Sequence, residues 1–248
     1  MIRVICLVLC VCLLTAAPLA SADILRVAVA SNFNAVLQEL ASGFSAASGH
    51  ELRISAGSTG THFAQISNGA PFDIFVAADL EHPAMLVNSG IALADSLLVY
   101  AQGSLLLWSV DPGLAVSGGK VLQDGNFRHL AIANPAQAPY GLAAREALES
   151  LTLWSSLQDK LVQGENITQT WQFVSTGNAE LGFIAASQWF DRANRATGSV
   201  WEVPQALYSP ILQAAVILHE SPAARAFLAF MQSEAAIALI TAAGYRIP

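Results

Sequence analysis

From residue 25 onward, short apolar runs alternate with segments of helical period. Leu25-Arg26-Val27-Ala28-Val29-Ala30 reads as a buried strand, after which Phe33, Val36, Leu37, Leu40 and Phe44 fall at i, i+3, i+4, i+7 and i+11. That spacing is one apolar face of a helix, and Gly49 ends it. A second strand, Leu52 to Ala56, runs through Gly57-Ser58-Thr59-Gly60 into a helix carrying Phe63 and Ile66, closed by Asn68-Gly69. A third, Ile74 to Ala78, is followed by Asp79 as N-cap of a helix through Ala84, Leu86 and Val87. This βαβαβα run predicts a mostly parallel sheet covered by helices, with right-handed crossovers.

Beyond residue 100 the pattern starts again. Leu105 to Trp108 is an apolar strand, Asp111-Pro112-Gly113 and Gly118-Gly119 mark turns, and Leu130 to Ala133 opens a new βα series. It continues with a helix from Gly141, a second near Trp154 to Val162, a third from Asn166 to Ser175 and a strand from Leu181 to Ala185. The strand from Ile211 to Leu218 and the helices from Pro222 to Ala243 lack a partner series and are expected to return to the first unit. The reading is α/β with two lobes, 23–103 with 209–248 and 104–208, crossed twice by the chain and separated by a cleft.

The first 22 residues change the picture of where this happens. Arg3, an unbroken apolar run from Val4 to Leu14 and the small-residue end Ala20-Ser21-Ala22 have the form of a secretory signal peptide. The run is short against the roughly 20 residues a bilayer span needs. Cleavage is expected after Ala22, with a periplasmic destination. Cys6, Cys10 and Cys12, the three cysteines of the chain, all lie in this segment, so the mature protein has neither disulfides nor thiolate chemistry. Loss of Arg3 takes the formal charge from −7 to −8, which argues against nucleic acid or an anionic membrane surface as partner.

Four loops lead into helices with small or polar residues: Ser31-Asn32, Ser58-Thr59, Tyr140-Gly141 and Asn166-Ile167. Helix N-termini carry unsatisfied N–H donors and a positive dipole end, so they bind anions without a formal cation. Each loop taken singly is also ordinary capping and turn chemistry. Two of them come from each half of the chain, as a cleft closing on an anion requires.

Val27 to Phe33, Gly57 to Gly60, the long run Ala64 to Asp79, Asn134-Pro135 with Ala138 to Gly141, Glu180 to Phe183 and Ala242 to Tyr245 resemble the periplasmic molybdate-binding proteins of ABC importers. The resemblance implies a two-lobed periplasmic binding protein fold of the class II type, a monomer, and delivery to a membrane permease with its ATPase. It also implies a ligand, molybdate or tungstate, held only by neutral donors, with no cofactor and no metal cation. The matching positions are Ser31 and Thr59 through hydroxyl and backbone N–H, and Tyr140 and Ile167 through backbone N–H. Asn32 matches a branch in which the residue after the first hydroxyl contributes, and Ser58 is a near neighbour. Many family members carry a tyrosine donor where this chain has Ala185, and Asn32 is the expected replacement.

A donor-only pocket suits dianions that accept hydrogen bonds and donate none, whereas phosphate keeps a proton and calls for an acceptor. Molybdate and sulfate share charge and shape, so discrimination between them is expected to rest on pocket size. A general oxyanion binder of the sulfate type remains an alternative, and a hydrolase using the same cleft is another. His50, His62, His82, His129 and His219 form no metal-binding spacing, and Gly57-Ser58-Thr59-Gly60 lacks both a nucleophile elbow and a phosphate-loop lysine. Tyr100, Tyr140, Tyr208 and Tyr245 are not paired as iron capture would want.

Overall fold

The computed structural model describes residues 22–248 except 115, 192 and 195; the segment read as a signal peptide lies, up to Ser21, outside the described residues. Two five-stranded sheets each form the middle of a lobe. The first holds β1 (Ile24–Ala30), β2 (Glu51–Gly57), β3 (Ile74–Val76), β4 (Leu98–Gly103) and β10 (Ile211–Ile217), in the order β2-β1-β3-β10-β4. The second holds β5 (Leu105–Ser109), β6 (Leu130–Ala133), β7 (Leu161–Gly164), β8 (Leu181–Ala185) and β9 (Ser199–Glu202), in the order β7-β6-β8-β5-β9.

The two orders are the same pattern. In each sheet four strands run one way and the fourth position is antiparallel, filled by β10 in one and β5 in the other. Those two strands are the ones that arrive directly from the other lobe. The first crossing is a single residue, Ser104, between β4 and β5; the second runs from β9 through Tyr208 into β10. Tyr208 Oη accepts from the Leu105 N–H at 3.0 Å and so staples the two crossings together.

The helices follow from local sequence. In α1 (Asn34–Ser48) Val36, Leu37, Leu40 and Phe44 are buried, and Gly49 stops the helix in the left-handed region at φ 78°. Val27, Val29, Leu37, Phe44 and Ile74 share a core with Phe227, Met231 and Ile240 from α9 (Pro222–Met231) and α10 (Glu234–Ala242). The other lobe packs Leu105, Leu130, Tyr140, Ala144 and Phe183 into a comparable core. Asp79 stands one residue before the N-cap position, which is Leu80, yet its Oδ1 accepts from the His82 N–H at 3.0 Å in the first turn of α3 (Glu81–Asn88).

Two expectations are corrected. The helix read from Trp154 to Val162 is only α6 (Trp154–Leu157) and a tight turn, because Leu161 and Val162 pair with Leu130 and Ala131 in β7. Lys160 Nζ, donating to Gly125 O at 2.5 Å and Phe127 O at 2.9 Å, pins the chain where the helix would continue. The third strand ends at Val76 rather than Ala78, although the Ala77 N–H still reaches Ala214 O at 2.8 Å. Strands β4 and β9, unannounced by an alternating pattern, complete the sheets on their edges.

Candidate functional site

The four loops meet. Ser31, Asn32, Ser58, Thr59, Tyr140 and Ile167 line one cavity between the lobes, with Ala30, Gly57, Ala78, Ala138, Pro139 and Asn166 completing its wall. The cavity is small: the centre of a water-sized sphere can move through only about 10 Å³ of it, which leaves no room for an extended organic molecule. No lining residue is charged.

Capping chemistry leaves one N–H of each helix pointing free. At α2 (Thr59–Ser67) the cap Ser58 accepts from the Thr61 N–H at 3.3 Å, the Gly60 N–H goes to Gln137 O at 2.9 Å, and the His62 N–H goes to Ser58 O at 3.1 Å. The Thr59 N–H therefore has no acceptor within its own helix. At α7 (Ile167–Ser175) Asn166 Oδ1 accepts from the Thr168 and Gln169 N–H groups at 3.0 and 3.1 Å, which leaves that of Ile167. At α5 (Pro139–Ser150) proline occupies the first position, helical bonding begins with the Gly141 N–H donating to Ala138 O at 2.8 Å, and Tyr140 offers the first free N–H. The fourth N-terminus is the tight turn Ser31–Phe33 ahead of α1.

Hydroxyl roles divide the same way. Thr59 is fully buried, and its Oγ1 accepts from the Ala78 N–H at 3.0 Å, so its proton is left to donate into the cavity. The Ser31 hydroxyl makes no side-chain hydrogen bond among the described residues, which leaves it available. Ser58 differs: its Oγ lies 2.6 Å from Thr61 Oγ1 and accepts from the Thr61 N–H, so its hydroxyl is shared with the helix cap. The expectation for Asn32 is also revised. Asn32 Nδ2 donates to Gln213 Oε1 and to Tyr245 Oη, both at 2.9 Å, so both amide protons are spent within the protein. What Asn32 can offer an anion is its backbone N–H. Ala185, at the end of β8, does not line the cavity, and its N–H donates to Gln188 Oε1 at 3.0 Å.

Bonds cross the cleft beside the site, among them the Gly60 N–H to Gln137 O and Ser187 Oγ to Asn32 O, both at 2.9 Å, and Gln213 Nε2 to Tyr140 Oη at 3.1 Å. The lobes are thus closed on one another. Set beside known proteins, residues 25–246 match the family model described as bacterial extracellular solute-binding protein. The molybdate-binding protein ModA of Azotobacter vinelandii is 46% identical over 229 residues, 91% of each chain. ModA of Rhodobacter capsulatus is 40% identical over 233 residues, 93% of this chain and 90% of the relative. The chain belongs to the molybdate-binding branch of the bacterial extracellular solute-binding proteins.

The solved structure of the Azotobacter vinelandii periplasmic molybdate-binding protein superposes with a TM-score of 0.86 at 41% identity, covering 90% of this chain and 99% of that one. The sulfate-binding protein SubI of Mycobacterium tuberculosis, at 15% identity and a TM-score of 0.74, shares the fold alone. Within this solute-binding protein the groups around the site hold neutral forms. Burial pushes the Tyr100 and Tyr140 phenols well above their ordinary value and that of Tyr245 up to about 12. Burial also lowers the pKa of His62, which lies beneath Gly57 with Nδ1 3.1 Å from Gln65 Oε1. Its Nε2 is buried without a partner. The reading from sequence overlooked Gln213, Ser187 and Gln188. Gln188 Nε2 donates to Ile167 O at 3.0 Å and so orients the peptide next to a candidate donor. The available signal was Gln213 itself, one amide inside the apolar run Ile211 to Ile217.

Proposed function

We infer that this protein captures molybdate outside the cytoplasm for ABC-type import; molybdate binding is what its relatives' names state of them. The observation that carries the reading is the convergence of four N-terminal turns, two from each lobe, on one small and uncharged cavity whose lining is mostly buried. Ser31 and Thr59 donate through hydroxyl and backbone N–H, and Asn32, Tyr140 and Ile167 through backbone N–H. A tetrahedral dianion accepts all of these bonds and donates none. Charge-assisted hydrogen bonds contribute roughly 1.5–3 kcal/mol each, so several together give tight binding without lysine or arginine.

Tungstate, nearly the same size, is bound by the same donors. The lobes are residues 23–103 with 209–248 and residues 104–208. The chain is cleaved after Ala22 and works in the periplasm as a monomer that docks on a permease carrying its ATPase. It has no catalytic role. The test is calorimetric titration of the anion-stripped chain from Asp23 onward with molybdate, alone and in excess sulfate. Tight one-to-one binding that sulfate barely weakens is expected. Equal competition by sulfate would make this a general oxyanion binder, and no heat with any tetrahedral oxyanion would overturn the reading.

A further inference from the structure

Gln213 is fully buried in the apolar strand β10, at the point where its pairing with β4 slips register. A bulge of this kind re-aims a side chain, and here the side chain meets both lobes. Gln213 Oε1 accepts from Asn32 Nδ2 at 2.9 Å and from Tyr100 Oη at 3.0 Å. Its Nε2 donates to Tyr140 Oη at 3.1 Å. Tyr245 Oη, which accepts the other Asn32 amide proton, donates to Asn32 O at 2.9 Å, so the Asn32 turn is gripped from two sides.

Asn32 belongs to the anion turn of the first lobe, and Tyr140 opens the anion-facing helix of the second. The Gln213 amide spans from one to the other. The Tyr140 ring passes against Gly103 so closely that a Cβ on that residue would overlap its hydroxyl, which leaves the ring no room to slide toward β4. A strut bonded at both ends and backed by a glycine contact resists compression as well as separation.

We propose that Gln213 is the spacer that sets the width of the anion cavity, and with it the preference for a molybdate-sized over a sulfate-sized dianion. The proposal rests on the oxyanion reading above. Donors held at a fixed separation all reach the larger ion, whereas the smaller one leaves some unpaired unless the lobes draw in. Removing the strut lets them draw in.

The test measures dissociation constants for molybdate and for sulfate, by calorimetry on anion-stripped protein, in the wild type, Gln213→Leu and Tyr140→Phe. The last variant keeps the ring and the backbone N–H and removes only the far contact of the strut, so it decides the matter if Gln213→Leu does not fold. The ratio of sulfate to molybdate dissociation constants should fall about tenfold in each, roughly one hydrogen bond at the better-fitted ion. A role confined to stability would weaken both anions in proportion; an unchanged ratio therefore overturns the spacer while leaving the oxyanion site intact. A wild type that binds neither anion overturns the functional reading and the spacer together.

Discussion

Gly60 is where closure of the cleft can be tested separately from the donors. Its N–H reaches across to Gln137 O at 2.9 Å, and a Cβ placed on it would stand 2.7 Å from Gln137 Oε1 and 3.1 Å from both Gln137 Cα and O. The amide end of Gln137 can swing aside, but the backbone atoms can yield only if the loop shifts or the cleft opens by a few tenths of an ångström. Overpacking of this size costs about 1–3 kcal/mol. The contact spans the cleft, so the cost falls on the closed, anion-bound state. Alanine also favours a helix over glycine by up to about 1 kcal/mol, a gain that both states share. Gly60→Ala should therefore weaken molybdate binding between about fivefold and about a hundredfold, since about 1.4 kcal/mol is a factor of ten. Calorimetry gives the dissociation constant, and thermal melts with and without anion separate the two effects. The anion-free melting temperature should hold or rise while the increment on adding molybdate shrinks. Wild-type affinity together with a raised anion-free melting temperature would refute the reasoning, because the Gly60–Gln137 approach would then be no part of the bound state.

Thr59→Ala removes a donor and strands the Ala78 N–H that Thr59 Oγ1 now accepts at 3.0 Å; binding should weaken about tenfold to a hundredfold, the range for a charge-assisted bond, and wild-type affinity in the same titration would take the hydroxyl out of the site. Ile167→Pro deletes one backbone N–H at the first position of α7, where proline is tolerated, and the preceding Asn166 is already extended at φ −150° and ψ 175°. The variant should keep its far-ultraviolet circular dichroism and lose at least about tenfold in affinity; undiminished binding would mean that this N–H does not face the anion. The hydrogen bond that His82 Nδ1 donates to Asp79 Oδ2, at 2.7 Å, outweighs partial burial and raises the imidazole above its ordinary 6.5. The stability this contributes is fully present below the unfolded value and is lost as pH rises through the higher folded one. His82→Gln should accordingly lower the melting temperature at about pH 5.5 and hardly at all at about pH 9, and an equal drop at both would show that the charged pair contributes nothing.

What the sequence could reveal followed the range of the interactions involved. The face of α1 and the caps Ser58 and Asn166 depend on neighbours three or four residues away, so their spacing announces them. The buried strands β1, β6 and β8 read as apolar runs because both faces are covered. At Trp154 to Val162 the same apolar residues suit helix or strand, and only pairing of Leu161 with Leu130 decides between them. The edge strand β9, with residues only half buried, carries too weak a pattern to find. Which group of Asn32 is left for a ligand is hidden for a related reason. Its amide protons are claimed by Gln213 and Tyr245, 181 and 213 residues away, and no local signal shows that they are taken.

An acidic protein that binds a dianion through neutral groups works against its own long-range field, and the distances involved resolve this. Charges spread over the surface are screened beyond a Debye length of about 8 Å at physiological salt. In the proposed site the free N–H groups at the starts of α2, α5 and α7 would act from hydrogen-bond distance in a small, largely buried cavity, where solvent screening is least. A lysine in their place would attract any anion, chloride and phosphate included, because a point charge asks little of geometry. Fixed N–H groups and two hydroxyls reward only an ion whose oxygens meet all of them at once. Selectivity and affinity then both depend on how firmly the donors are held. That is why the polar side chains Asn166, Gln188 and Gln213, whose bonds go to protein groups, stand at the roots of the donor loops.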